Sequence, residues 1–160
     1  YCCMKVSLVL DNLRSVYNVG SIFRTANAVG VQHIVLCGTT PTPLDTKGNR
    51  RKDFAKVALG AEDTISWEYV ESTVLALQKL KESGVYCIAI EQSETSIDYK
   101  EVNIDGRENV AFIVGPEVAG MSDEVLAQAD VIAEIPMLGT KESLNVTIAT
   151  GIALYRILGI

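Results

Sequence analysis

Five short apolar, β-branched runs at 5–10, 33–36, 85–90, 110–114 and 131–135, each bounded by Gly, Asn, Asp or Pro, restrict the fold of this chain most. Runs of that length and composition predict strands. Helical spacing fills the gaps between them. Val19, Ile22, Phe23, Ala26 and Val29 fall on one helix face, and Gly30 stands where such a helix ends. Val74, Leu75, Gln78 and Leu80 belong to a second helix stopped by Gly84. Ser122-Asp123-Glu124 offers an N-cap and first-turn carboxylates for a third, which complements the positive end of its dipole. Strands alternating with helices predict an α/β fold, a doubly wound, mostly parallel sheet covered on both faces.

A last helix, expected over about 144–158, carries apolar or small residues around nearly its whole circumference, among them Val146, Ile148, Ala149, Ile152, Ala153, Tyr155 and Ile157. Only Arg156 interrupts that surface. A helix apolar all round is buried, yet a terminal helix hides one stripe against its own sheet. The remainder is expected to pack on a second copy in a twofold homodimer. At the start of the same helix, Ser143-Leu144-Asn145-Val146-Thr147-Ile148-Ala149, following Ile135-Pro136-Met137-Leu138-Gly139, places hydroxyls and an amide where a core helix should be apolar. Buried polar groups need partners, so a polar ligand is expected there.

The 160 residues fit one domain, 1–160, and a globule of that size buries about 70 % of its unfolded surface. No apolar run approaches the roughly 20 residues that span a bilayer, and no signal peptide is recognisable, so a cytoplasmic location is expected. Cysteines at 2, 3, 37 and 87 form no CxxC pair and His33 is alone, so no metal site is expected. Cys37 and Cys87, at the end of or within apolar runs, suit reduced, buried thiols. Tyr1-Cys2-Cys3 fits either a cloning remnant or the end of an upstream segment. The net charge of −6 argues against indiscriminate polyanion binding, so any nucleic acid must be met locally. Lys47, Arg50, Arg51, Lys52 and Lys56 form the basic cluster, and Glu91, Glu94, Asp98, Glu101, Asp105 and Glu108 an acidic stretch. On charge pattern alone, both are ordinary solvated surface.

Open α/β sheets bind ligands beyond the carboxyl ends of their strands, which singles out the loops after Val114 and Ile135. The chain contains no GxG, which removes the dinucleotide fingerprint. Gly115-Pro116-Glu117-Val118-Ala119-Gly120-Met121-Ser122 has the glycine separation of a P-loop, but Met121 replaces the phosphate-binding lysine and Glu117 would repel phosphate. No GxSxG elbow accompanies His33, so a serine triad is excluded too.

Three segments together resemble the SpoU/TrmH branch of the SPOUT class, trefoil-knotted RNA ribose 2′-O-methyltransferases that use S-adenosylmethionine. They are Asn18-Val19-Gly20-Ser21-Ile22-Phe23-Arg24-Thr25-Ala26, then Phe112-Ile113-Val114 running into the glycine loop to Ser122, then Ile135 to Gly139 with Ser143 to Thr147. Lys56-Val57-Ala58-Leu59-Gly60-Ala61-Glu62 also resembles a family segment. Their order and spacing cover the chain from near its start to its end.

The resemblance implies a C-terminal trefoil knot whose loops wrap a bent S-adenosylmethionine, largely through backbone groups. It assigns Gly115, Ile135, Met137 and Leu144 to the cofactor, with Glu91 as a further candidate. The chemistry agrees, because adenine is a donor–acceptor edge on an apolar plate, and main-chain groups flanked by Ile135, Met137 and Leu144 satisfy both halves. Taken singly, those three residues fit an ordinary core equally well. Similarity to the family places Arg24 nearest the reacting 2′-hydroxyl, with Asn18, Glu117, Ser143 and Asn145 organising the site. Arg24 acts there either as base or as a grip on the neighbouring phosphate, since a guanidinium is not normally deprotonated in proteins. Asn18 also fits a bland role as N-cap of the first helix. Lys47, Arg50, Arg51 and Lys52, after the loop-like Thr39-Thr40-Pro41-Thr42-Pro43, are the candidate contacts to RNA, with tRNA expected ahead of rRNA. The alternatives are a noncatalytic RNA-binding homodimer and a methyltransferase of the same fold acting on a base or a small molecule. The target nucleotide is not legible.

Overall fold

The computed structural model describes residues 3–160; Tyr1 and Cys2, two of the three residues before Met4, lie outside the described residues. Seven strands form one sheet: β1 Lys5–Asp11, β2 His33–Cys37, β3 Ser66–Val70, β4 Tyr86–Ile90, β5 Ile97–Asp98, β6 Asn109–Val114 and β7 Val131–Glu134. Their order across the sheet is β3-β2-β1-β6-β4-β7-β5, and every pairing is parallel. At the centre, Leu8 pairs in register with Ile34 on one side and Phe112 on the other. Among the described residues six α-helices lie between and after the strands, α1 Val16–Ala28, α2 Lys52–Ala58, α3 Ala61–Thr64, α4 Thr73–Glu82, α5 Asp123–Ala127 and α6 Val146–Leu158, with a short 3-10 turn at Tyr99–Glu101 ahead of β6. The α/β class, the doubly wound parallel sheet and all five expected strands are present.

Two cores sit on opposite faces of the sheet. Leu8, Leu10, Ile34, Leu36, Phe112 and Val114 meet α1, α2 and α6 through Ile22, Phe23, Phe54 and Leu154. Val9, Val35, Ala89, Ala111 and Ile113 meet α4 and α5 through Ala76, Leu77 and Val125. Successive side chains of a strand point to opposite faces, so strands buried on both sides read as continuous apolar runs. Phe23 and Phe54 pack edge to face with centroids 5.2 Å apart. Gly20 makes that helix pair possible, since a Cβ there would stand 3.1 Å from Cβ of Val57.

Four of the helices begin on side-chain caps, Ser122 among them as expected. The Ser15, Ser72 and Ser122 hydroxyls accept from Asn18, Leu75 and Val125 N–H, and Asn145 Oδ1 accepts from Thr147 N–H. Each side chain thereby satisfies one of the donors a helix start leaves open. Ser15 rather than Asn18 is therefore the cap of α1, which corrects the bland role given to Asn18. α6 starts at Val146, not 144, so Asn145 is its cap and not a polar intrusion into it. Among the described residues, no helix is long and apolar enough to cross a membrane.

Cys37 and Cys87 are fully buried, and burial pushes their thiols up, to about 12 and about 11 respectively. Both are free, as expected.

Candidate active site

At the carboxyl edge of the sheet, on the α6 side, three loops converge on the first turn of α6. Glu91 and Gln92 follow β4, Gly115, Pro116 and Glu117 follow β6, and Ile135, Met137, Ser143 and Leu144 follow β7. Together with Ile90, Val114, Val146 and Ala149 they line a cleft of about 680 Å³, counting its open mouth. β7 ends at Glu134, one residue earlier than expected, which frees Ile135 to turn into the cleft.

The loops are held by specific contacts. Glu91 Oε2 accepts from Met121 N–H at 3.1 Å, its Oε1 accepts from Gln92 N–H at 3.0 Å, and Gln92 Nε2 donates to the Glu142 carbonyl at 2.8 Å. The loop after β4 is thus tied to both of the others. Gly115 admits no side chain, because a Cβ would come within 2.5 Å of Met121 Cγ. Such a close approach is a usual reason for glycine at a site. Gln92 was not singled out by its sequence; its position just past the end of a predicted strand was the available signal.

Glu117 stands on the cleft and accepts a hydrogen bond at Oε1 from Nδ2 of Asn18, two residues into α1 from Val16. The bond joins the α1 segment to the glycine loop. Asn145, capping α6, accepts at Oδ1 from Thr147 N–H at 2.8 Å and from Thr147 Oγ1 at 2.5 Å. Local capping therefore explains much of the polarity at the start of α6, and Ser143 and Leu144, ahead of the helix, line the cleft together with Val146 and Ala149 on it.

Arg24 is placed apart from this cleft. It is exposed on α1 and borders a separate hollow with Asn27, Ala58, Leu59, Gly60 and Thr64. Among the described residues it forms no hydrogen bond and no ion pair.

The basic cluster is partly neutralised. Arg50 Nη2 donates to Glu62 Oε1 at 3.1 Å and to Asp63 Oδ2 at 2.8 Å, and its hydrogen bond to Asp63 does most to raise its pKa further. Arg51 pairs with Asp53 at 2.9 Å and holds that carboxyl below the usual carboxylate range. Lys47 and Lys52 have no ion pair among the described residues.

A model of the SpoU rRNA Methylase family matches residues 5–155. A 23S rRNA (guanosine-2′-O-)-methyltransferase of Neisseria meningitidis is 32% identical over 147 residues, 92% of this chain and 55% of its own length. The solved structure of an AdoMet-bound rRNA methyltransferase from Sinorhizobium meliloti superposes with a TM-score of 0.84 at 28% identity, over 96% of this chain and 55% of that one. A solved chain described by the 2-OH methylation of C/U34 on tRNA matches with a TM-score of 0.79 at 25% identity, over 98% of this chain and 99% of that one. The chain spans a little over half the length of the first curated relatives it matches.

Proposed function

The chain belongs to the SpoU rRNA methylase family, and from that premise we propose that it methylates a ribose 2′-hydroxyl of RNA with S-adenosylmethionine as donor. The observation that carries this reading is the joined cleft: Gly115, Ile135, Met137, Leu144 and Glu91 line one space, and Glu117 on its wall is bonded to Asn18 of α1. The residues fit the cofactor. Ile135, Met137 and Leu144 offer apolar surface for adenine, and Gly115 lies on the wall of the same cleft. When bound, S-adenosylmethionine supplies an electrophilic methyl carbon on a sulfonium sulfur.

A ribose 2′-hydroxyl held against that carbon would take the methyl group as neutral S-adenosylhomocysteine leaves, and its proton would pass to water at the open mouth of the cleft. This chain's task is to orient and to organise. Glu117, oriented by Asn18, and Ser143 stand where they can hold the ribose against the methyl carbon, and Asn145 fixes the direction in which the chain enters α6. Positioning of this kind supplies up to about 7–11 kcal/mol of a barrier. Arg24, lying outside the cleft of its own chain, suits a grip on a flanking phosphate better than contact with the reacting proton.

The segment after β7 is proposed to thread through the preceding loops as a trefoil knot. A homodimer is proposed through α6, whose outer face leaves Ile148, Ile152 and Tyr155 exposed at 53%, 37% and 42%, and α1, which packs on α6, leaves Tyr17 exposed as well. Exposed apolar surface of this kind marks contact with another molecule. A tRNA substrate is favoured by the near full-length match to a chain described for tRNA. In the basic cluster, Lys47 and Lys52 are proposed as the cations that meet phosphate, with Arg50 and Arg51 joining once RNA competes with their carboxylate partners. Calorimetry tests the cofactor step: S-adenosylmethionine gives a saturable heat with the chain and none with Gly115→Leu, and absence of heat with the unaltered chain removes the proposal.

A further inference from the structure

A second hollow opens on the other face of the sheet, beyond the loop that carries Gly115 and Glu117. It measures about 720 Å³ with its open mouth, and Pro116 lines both it and the cofactor cleft. Its floor is Asp11 at the end of β1. Asn12, Glu71, Thr73 and Gly120 complete the walls, so it lies between the carboxyl ends of β1 and β6 and the first turn of α4.

Asp11 is 2% exposed, and only one of its carboxyl oxygens is used. Oδ1 accepts from Thr73 Oγ1 at 2.6 Å and from Asn12 Nδ2 at 2.9 Å. Among the described residues, nothing donates to Oδ2 and no cation pairs with the group. Oδ2 is left open toward the hollow, where an incoming donor can reach it. Asn12 holds the left-handed region at φ 51, with Oδ1 accepting from Thr39 N–H at 3.1 Å, which fixes the Asp11–Asn12 edge of the hollow. The same hollow is lined by donors. The Thr73 and Val74 N–H groups open α4 and have no acceptor among the described residues, since Ser72 Oγ is taken by Leu75.

This set excludes simple ions of either sign. Asp11 and Glu71 repel an anion, and the positive end of α4 disfavours a bare cation. A flat neutral ring that both donates and accepts along one edge satisfies the carboxyl oxygens and the helix N–H groups together, with Pro116 as an apolar plate. We propose that the hollow receives a nucleobase of the RNA substrate, neighbouring the ribose that is methylated, and that Asp11 Oδ2 accepts from its exocyclic amino group. Methyl transfer to RNA, proposed above, supplies the identity of the polymer; the hollow itself selects the base.

The experiment uses Asp11→Asn, which keeps an acceptor for Thr73 but turns the free oxygen into a donor, and Glu71→Gln on the exposed rim. Guanosine, cytidine, adenosine and uridine are titrated separately into the labelled protein while the backbone amide resonances of Asn12, Thr73 and Val74 are followed. The three amino-bearing nucleosides shift these resonances in the unaltered chain, uridine does so less, and Asp11→Asn abolishes the difference. On RNA, Asp11→Asn raises KM roughly tenfold or more and Glu71→Gln raises it less, while the affinity for S-adenosylmethionine stays within about twofold. Replacing the contacted base by an abasic nucleotide then costs the unaltered chain the same KM and costs Asp11→Asn nothing further. Shifts that are equal in both proteins, shifts produced by magnesium chloride but by no nucleoside, or additive losses on RNA overturn the proposal. The nucleoside titration needs no methyl transfer, so its failure is distinguishable from failure of the methyltransferase reading.

Discussion

Asn18 Nδ2 donates to Glu117 Oε1 across 99 positions of sequence, fastening the third residue of α1 to the loop after β6. The pair lies at the edge of the cleft that Gly115, Ile135 and Leu144 line. Its worth should appear in the chemical step rather than in cofactor affinity. Asn18→Ala is expected to lower kcat about 10- to 100-fold while the affinity for S-adenosylmethionine changes less than about threefold, as steady-state methyl transfer and calorimetry measure side by side. Equal losses in both quantities would make the bond a scaffold for the cofactor instead.

Glu91 behaves differently because it bonds backbone on both sides, Met121 N–H and Gln92 N–H. Glu91→Ala leaves both donors open. Cofactor affinity is expected to fall about tenfold, with faster hydrogen exchange at residues 115–121 and unchanged exchange at the central strands. Uniform loss of protection would instead mark Glu91 as part of the global fold.

The raised thiols of Cys37 and Cys87 give a pH dependence with a definite sign. Above the ordinary value of 9.0 the unfolded chain loses these protons while the folded chain keeps them, so the folded state binds more protons and stability falls as pH rises. Below about 9 the two groups contribute no slope; between 9 and about 11–12 the decline develops. Urea titrations from pH 7 to 10.5 are expected to show this decline, shallower in Cys37→Ala/Cys87→Ala. Both thiols should also resist a disulfide reagent at pH 8 until the chain unfolds.

Ile152, 37% exposed on α6 between Ile148 and Tyr155, tests the paired state. Sedimentation is expected to give twice the chain mass, and Ile152→Glu to give single chains that keep their far-ultraviolet dichroism. A monomeric unaltered chain, or a dimer indifferent to the charge, would assign this face another role.

Much of this was legible in the sequence, for identifiable reasons. Strands buried on both faces, such as β1 and β6, announce themselves as unbroken apolar runs, and the Ser122 cap marks the start of α5. β3 escaped notice because Ser66-Trp67-Glu68-Tyr69-Val70 is an edge strand, never fully buried, with charge and hydroxyl along it. α2 and α3 are short, and they join at Leu59 with φ 53, a left-handed position usually left to glycine. In the site, Gly115 of the glycine loop and Ser143, Leu144 and Val146 line one cleft. What the sequence hid was competition for polar groups: Arg50 answers to Glu62 and Asp63, and Asn145 to Thr147. Linear spacing shows that such groups exist, not which neighbour claims them.

The central claim is methyl transfer to ribose from a donor held in the cleft bounded by Gly115, Met137 and Leu144. Incubation of the chain with methyl-labelled S-adenosylmethionine and total RNA, followed by digestion to nucleosides and chromatography, tests it most directly. The account predicts label in 2′-O-methylated nucleosides, lost with Gly115→Leu. Label confined to base-methylated nucleosides, or no label in RNA at all, would contradict it.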